Sequence, residues 1–188
     1  WISRTGYTGD LGFEVWCDAD DALRVWDAIL DAGKPYGVLP CGLDAMDVTR
    51  VEAGFIMNGV DYYSAHHCMI ESRKSSPYEV GLGWTVKLDR EPFNGQAALQ
   101  AEKAAGPKRK LAGLALDWDA FEALYEAHDL PPEVCSAAWR TAVPIYRNGR
   151  QIGKATSGAW SPILKKDLAL ADLEAEHAAV GTVVDFEV

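Results

Sequence analysis

The chain has 188 residues, 48% of them hydrophobic and 24% charged, which supports one or two globular domains around a real core. Eighteen basic residues against twenty-eight acidic ones give a net charge of −10. The basic clusters Lys108-Arg109-Lys110 and Lys165-Lys166 are too short to make a basic stripe, so no nucleic-acid partner is expected. No apolar run approaches the roughly 20 residues of a membrane span, so no membrane partner is expected either.

The first segment, RTGYTGDLGFE from Arg4 to Glu14, sets three glycines, an Arg, a Tyr and two carboxylates within eleven residues. Glycines at that density let the backbone turn tightly and approach a ligand closely. The run continues into an alternating strand, GFEVWC, with Phe13, Val15 and Cys17 on a predicted core face and Gly12, Glu14 and Trp16 on the other. A carboxylate beside an indole, with no side chain at Gly12, suits a flat heterocycle bearing hydrogen-bond donors. The alternative is a Gly-rich turn with Glu14 in water.

Asp18-Ala19-Asp20-Asp21 offers N-cap oxygens to a helix in which Leu23, Trp26, Ile29 and Leu30 recur at helical spacing, ended by Gly33. A loop from Pro35 to Pro40 leads to a second helix over Gly42 to Ala53. On it Leu43, Met46, Arg50 and Ala53 share one face. An Arg in an apolar stripe needs a partner or a route to water. Asp47, one turn earlier, is one candidate, and Glu14, from another element, is the other.

Residues 58–77 read as an irregular loop. Its His66-His67 pair has no third ligand at helical spacing, so no metal site is expected. The four cysteines, Cys17, Cys41, Cys68 and Cys135, form no C-x-x-C. They read as reduced thiols of an intracellular, cytoplasmic protein, Cys41 as a small buried one. LGWTVKL, Leu82 to Leu88, alternates as a half-buried strand, and a short helix follows over Gln96 to Ala105. Gly106-Pro107-Lys108 breaks the pattern and sets a domain boundary between 1–107 and 108–188.

Beyond it, strands are predicted over Lys110–Asp117, Leu168–Leu173 and Thr182–Val188, and a helix over Asp119–His128. VPIYRNGRQIGKAT forms a hairpin about Asn148-Gly149. The fold class is α+β, its second part a small barrel or sandwich. Trp1 in place of Met, and a last stretch TVVDFEV that stops in strand-like sequence, give the expectation that the chain is part of a longer protein.

Four segments occur in order: RTGYTGDLGFE, GLDAMDVTRVEAGF, YEVGLGWTVKL with FNGQAAL, and GKATSGAWSPILKKDLALA. Together they resemble the aminomethyltransferase family, whose best-known member is the T-protein of the glycine cleavage system. The resemblance implies three domains around a cavity that binds tetrahydrofolate. This chain would hold part of the folate-binding α/β region and a C-terminal jelly-roll-like β barrel. It also implies that Tyr7 lines the cavity, that Glu14 accepts from the pterin ring, and that Arg50 pairs with Glu14 and contacts the cofactor. Trp84 would supply an aromatic wall or else sit in the core. Substituting Glu14 or Arg50 is then expected to weaken folate binding without unfolding the protein.

The activity implied is one-carbon transfer to tetrahydrofolate. The donor is a lipoyl-bound aminomethyl group or a methylated small molecule, and the missing N-terminal half of the same protein is a partner. In eukaryotes the location would be the mitochondrial matrix. The positioning aspartate of the family lies in that N-terminal half, so no catalytic residue is expected here. Asp10 stands where the family has Glu, MNGVDYYS replaces its YGND-like stretch, and Trp118 to Trp139 resembles an insertion. These departures keep open a demethylase or the transferase module of a flavin-dependent dehydrogenase. A non-catalytic accessory protein would carry a KGCY-type motif, which is absent.

Overall fold

The computed structural model describes residues 1–66 and 68–187. The fold is mixed α and β, and its sheets are antiparallel. A short ladder pairs β1 (Ile2–Ser3) with β2 (Glu14–Val15). Then come α1 (Ala22–Gly33), α2 (Leu43–Glu52), α3 (Gln96–Ala105), β3 (Arg109–Ala115) and α4 (Trp118–Glu126). The chain closes with β4 (Val143–Arg147), β5 (Arg150–Ser161), β6 (Lys166–Glu174) and β7 (Asp185–Phe186).

The last five strands form one open sheet in the order β3-β6-β5-β4-β7. Among the described residues the sheet does not close into a barrel. Its core is Ile145, Ile152, Ala155, Ala169, Ala171 and Leu173, with Trp139, Val143 and Phe186 packed on it. The β4–β5 hairpin turns at Asn148 (φ 52°) and Gly149 (φ 74°). Two successive left-handed residues match the twist of the flanking strands, and Asn-Gly tolerates them best.

Several expected elements differ. The strand predicted over 82–88 is absent; Gly83–Thr85 makes one 3₁₀ turn, and Trp84 is 74% exposed rather than in a core. Alternation supplies a face, but no strand pairs with this segment among the described residues, and alternation alone makes no ladder. The strand around Glu14 is only two residues long, and the predicted core face of Phe13, Val15 and Cys17 is exposed. Cys41 is likewise exposed, not buried. The acidic run before α1 makes no side-chain cap; Asp21 pairs with Arg24 instead. His66 is an exposed loop residue, and His67 lies outside the described residues. No helix among the described residues is long and apolar enough to cross a membrane.

Candidate functional site

α2 forms as its sequence predicts, but it turns a different face inward. Leu43 and Ala53 are exposed, whereas Asp47, Arg50 and Val51 are buried. Arg50 and Val51 each lie about one turn beyond Asp47 on the inward face, and two of the three are charged. The helix lies along the central strand β5, with Arg50 meeting Ser157 and Glu52 meeting Ser161.

Arg50 is 0% exposed. Its Nε donates to Asp47 Oδ1 at 3.2 Å, and its Nη1 donates to Asp61 Oδ2 at 2.7 Å. Nη1 also reaches Ser157 Oγ at 3.1 Å and the Phe55 carbonyl at 3.3 Å. Nη2 is buried and has no hydrogen-bond partner among the described residues. Burying a guanidinium is tolerable only when its charge is matched and its donors are used. Two carboxylates supply the match, and the one nitrogen left without a partner, Nη2 with its two N–H groups, therefore stands out.

Asp61 is saturated. Thr156 Oγ1 (2.6 Å) and Ser157 Oγ (2.5 Å) donate to its Oδ1, and the Met57 amide (2.8 Å) joins Arg50 at Oδ2. Neighbouring strand residues normally point to opposite faces. Here the β5–β6 register slips between Ala155 and Ser157, so Thr156 is an extra residue in the strand. That bulge lets two consecutive hydroxyls reach one carboxylate.

Asp47 bridges two arginines. Its Oδ1 takes Arg50, and its Oδ2 takes both Nε (2.9 Å) and Nη2 of Arg140. Burial pushes the Asp47 carboxyl up, but the hydrogen bonds and charges of Arg140 and Arg50 outweigh it and hold the carboxyl below its ordinary value.

The glycine-rich segment meets this cluster from the other side. Gly9 (φ 90°) caps the end of α2 so closely that a Cβ there would lie 2.7 Å from the Ala53 Cβ. Tyr7 stacks on Phe55 with centroids 5.8 Å apart and donates its hydroxyl to the Ile56 carbonyl. Burial raises the Tyr7 phenol, partly offset by the nearby Arg50 charge. Tyr7 and Arg50 are thus brought together around Phe55-Ile56.

Glu14 is not brought to Arg50. Among the described residues Arg50 pairs with Asp47 and Asp61, while exposed Glu14 accepts a long 3.4 Å contact from Ser3 on the neighbouring strand. The expected Arg50–Glu14 couple is therefore replaced by an Arg50–Asp61 couple. A buried cation takes the anion its own helix and the following loop supply, ahead of one on a solvent-facing strand. Trp84 stands apart on its exposed turn. Sequence reasoning missed Asp61, Thr156, Ser157 and Arg140. The signal available was the Thr156-Ser157 pair of adjacent hydroxyls within the small-residue stretch 155–159 of β5.

The described residues thus define a mixed α/β protein with a buried arginine clamped between a helix and a C-terminal sheet. Residues 1–90 match the GCVT N-terminal domain, and residues 129–188 match the glycine cleavage T-protein C-terminal barrel domain. The chain is 38% identical over 188 residues to an aminomethyltransferase of Bacillus pumilus, and 39% identical to one of Geobacillus thermodenitrificans. All of this chain is covered in both comparisons, but only 44% of each relative. The crystal structure of glycine cleavage system aminomethyltransferase T from Bartonella henselae superposes with a TM-score of 0.77 at 25% identity, over 100% of this chain and 45% of that one. The chain belongs to the aminomethyltransferase, or glycine cleavage T-protein, family. It spans less than half the length of these relatives.

Proposed function

We propose that this chain forms part of a tetrahydrofolate-dependent one-carbon transferase of the aminomethyltransferase kind. The observation that carries the proposal is Arg50, fully buried on the helix of the second family motif with Nη2 unpartnered. An uncompensated buried N–H costs about 1–3 kcal/mol. An acceptor on a bound heterocycle removes that cost, so the residues fit the cofactor. Glu14 keeps nearly all of its acceptor capacity, and a carboxylate can take two adjacent N–H donors of a pterin edge in one plane. In this reading Tyr7 contacts the cofactor beside Arg50, and Trp84, which stands apart on its exposed turn, offers an aromatic wall.

Tetrahydrofolate supplies the nucleophilic nitrogen that receives the one-carbon unit. These residues bind and orient it, and orientation is a large share of such catalysis. None of them is assigned a proton-transfer role. The donor is an aminomethyl group on a lipoyl arm, whose carbon passes to the acceptor while its nitrogen leaves as ammonia and the lipoyl sulfur is left as a thiol, with methylated small molecules as the alternative class.

The rest of the cavity belongs to further chain of the sort the longer relatives carry. Trp1, Phe13, Trp16, Leu23 and Trp26 are each more than half exposed, and an apolar surface of that extent is what such a segment would cover. Calorimetric titration of the whole protein with tetrahydrofolate tests the assignment. Glu14→Gln and Arg50→Lys are each expected to weaken binding roughly tenfold or more. Unchanged affinity in both removes the proposal.

A further inference from the structure

One face of the C-terminal sheet is divided in two. Ala155, Ala171 and Leu173 belong to the core, so Lys154 and Asp172, directly opposite each other on β5 and β6, point to the other face. Beyond the bulge Ser157 also lies on that second face, and there α2 covers it. Toward the start of β5 the face opens instead into a groove of about 310 Å³, at the lower end of the size of small-molecule sites. Ser72, on the one-turn 3₁₀ helix Glu71–Arg73, borders the groove from the loop side.

Most of the charge here is spent internally. Arg109 Nε donates to both oxygens of Asp172, at 2.8 and 2.9 Å, and its Nη2 donates to the Asp172 carbonyl at 2.8 Å. Arg150 holds both oxygens of Glu174, at 2.8 and 2.7 Å, and reaches Glu176 at 3.6 Å. Arg147 lies against His177 at 3.0 Å. Lys154 has no such attachment. Its half-buried side chain lines the groove, and its ammonium has no hydrogen-bond or ion-pair partner among the described residues. Nη1 of Arg109 is likewise unpartnered among them and, unlike Arg50 Nη2, it is accessible. Arg109, Arg147, Arg150 and Lys154 thus stand against Asp172, Glu174 and Glu176, which leaves a cation in surplus on a chain whose net charge is −10.

The free donors define the ligand. A carboxylate is matched best by the side-on fork of an arginine, Nε with Nη2, and Asp172 already fills that fork on Arg109. What remains is a set of single donors from separate elements: the Lys154 ammonium on β5, Nη1 of Arg109 on β3 and the Ser72 hydroxyl. A tetrahedral anion, whose acceptor oxygens point in several directions, suits such a set, and a lysine meets it as a point charge. We propose that this groove binds a phosphate group, carried by inorganic phosphate or by a small phosphorylated molecule. A neutral or cationic ligand would leave the surplus charge of Lys154 unanswered. The site stands apart from the buried Arg50 cluster and does not depend on the cofactor assignment above.

The test is calorimetric titration of the whole protein with inorganic phosphate and with glycerol phosphate, with thermal unfolding followed in parallel. Millimolar or tighter binding of at least one of the two is expected. Tighter binding of glycerol phosphate assigns the site to a phosphorylated small molecule, and the converse assigns it to free phosphate. Lys154→Met keeps the apolar stem and removes the charge; affinity is expected to fall about tenfold, whereas Lys154→Arg keeps most of it. Ser72→Ala, on an exposed turn, is expected to lose about threefold, which keeps the test available if Lys154→Met fails to fold. Tetrahydrofolate affinity is expected to stay unchanged in both variants. Absence of binding by either anion overturns the inference, as does wild-type phosphate affinity in Lys154→Met or, should that variant not fold, in Ser72→Ala. A parallel loss of tetrahydrofolate affinity would make the groove part of the cofactor site and overturns it too.

Discussion

Residues 1–42 and the α2–β5 junction solve opposite problems. In the first region the elements form but bury almost nothing. α1 has no buried residue, and Leu23 and Trp26 are 80% and 52% exposed. In the second region the chain buries charge, with Asp47, Arg50 and Asp61 each at 5% exposure or less. Helix formation therefore follows the local pattern whether or not a partner covers it. Burial of a cation, by contrast, requires groups from four separate segments to converge: α2, the loop at Asp61, the bulge of β5 and the segment at Arg140. The first region presents an exposed apolar surface, and the second is internally complete among the described residues except for the two N–H groups of Arg50 Nη2.

Breaking the junction should have the largest effect. Asp61→Asn leaves Arg50 underpaired in a dry site and is expected to cost about 3–5 kcal/mol, read by denaturant unfolding. Arg50→Ala strands two carboxylates and is expected to destabilise as well as unbind, contrary to the sequence expectation that it would leave the fold intact. A loss below 1 kcal/mol in Asp61→Asn would show that the junction is not the structural anchor described.

Trp26→Ala probes the other region. If further chain covers α1 in the whole protein, the substitution should cost about 2 kcal/mol. A change within about 0.5 kcal/mol, the range of an open surface site, would mean the face stays uncovered. Gly158→Ala sharpens the contrast from the sheet side. The new methyl meets the Trp139 ring, and a loss of about 1–3 kcal/mol is expected, read by denaturant unfolding. Full stability in this variant would show that Trp139 moves aside freely.

The smallest effect concerns acid. Asp47 and Asp167 respond with opposite sign. The Asp47 carboxyl is held below its ordinary 3.8. Its contribution is present at neutral pH and is lost as pH falls below that value through the folded one. Asp167 is raised above 3.8 by burial alone, so its charged form opposes folding at neutral pH, and the penalty disappears as it protonates. Asp167→Asn should therefore stabilise the fold at pH 7, by less than about 1 kcal/mol after solvent screening, with the gain shrinking in acid. A gain that grows on acidification would reverse the assignment.

How much of this was legible in sequence varies from element to element. α2, α3, the Asn148-Gly149 hairpin and the strands of the sheet follow from periodicity and turn chemistry, because each is decided within about ten neighbouring residues. The segment 82–88 misled because alternation cannot announce that no partner strand lies beside it. Arg50 was visible as an anomaly, a cation where the helix wanted an apolar residue, and its capture by Asp47 was one of the two options open.

The sequence by itself determined the family, the local elements and the fact that Arg50 needed an anion. Only the tertiary structure decided which anion. Asp61 won because a bulge in β5 turns Thr156 and Ser157 onto the same carboxylate and fixes it against α2, while Glu14 stays on a strand facing water. Pairings between residues about a hundred positions apart depend on strand register and helix placement, and neither is encoded in the spacing of the residues that finally meet.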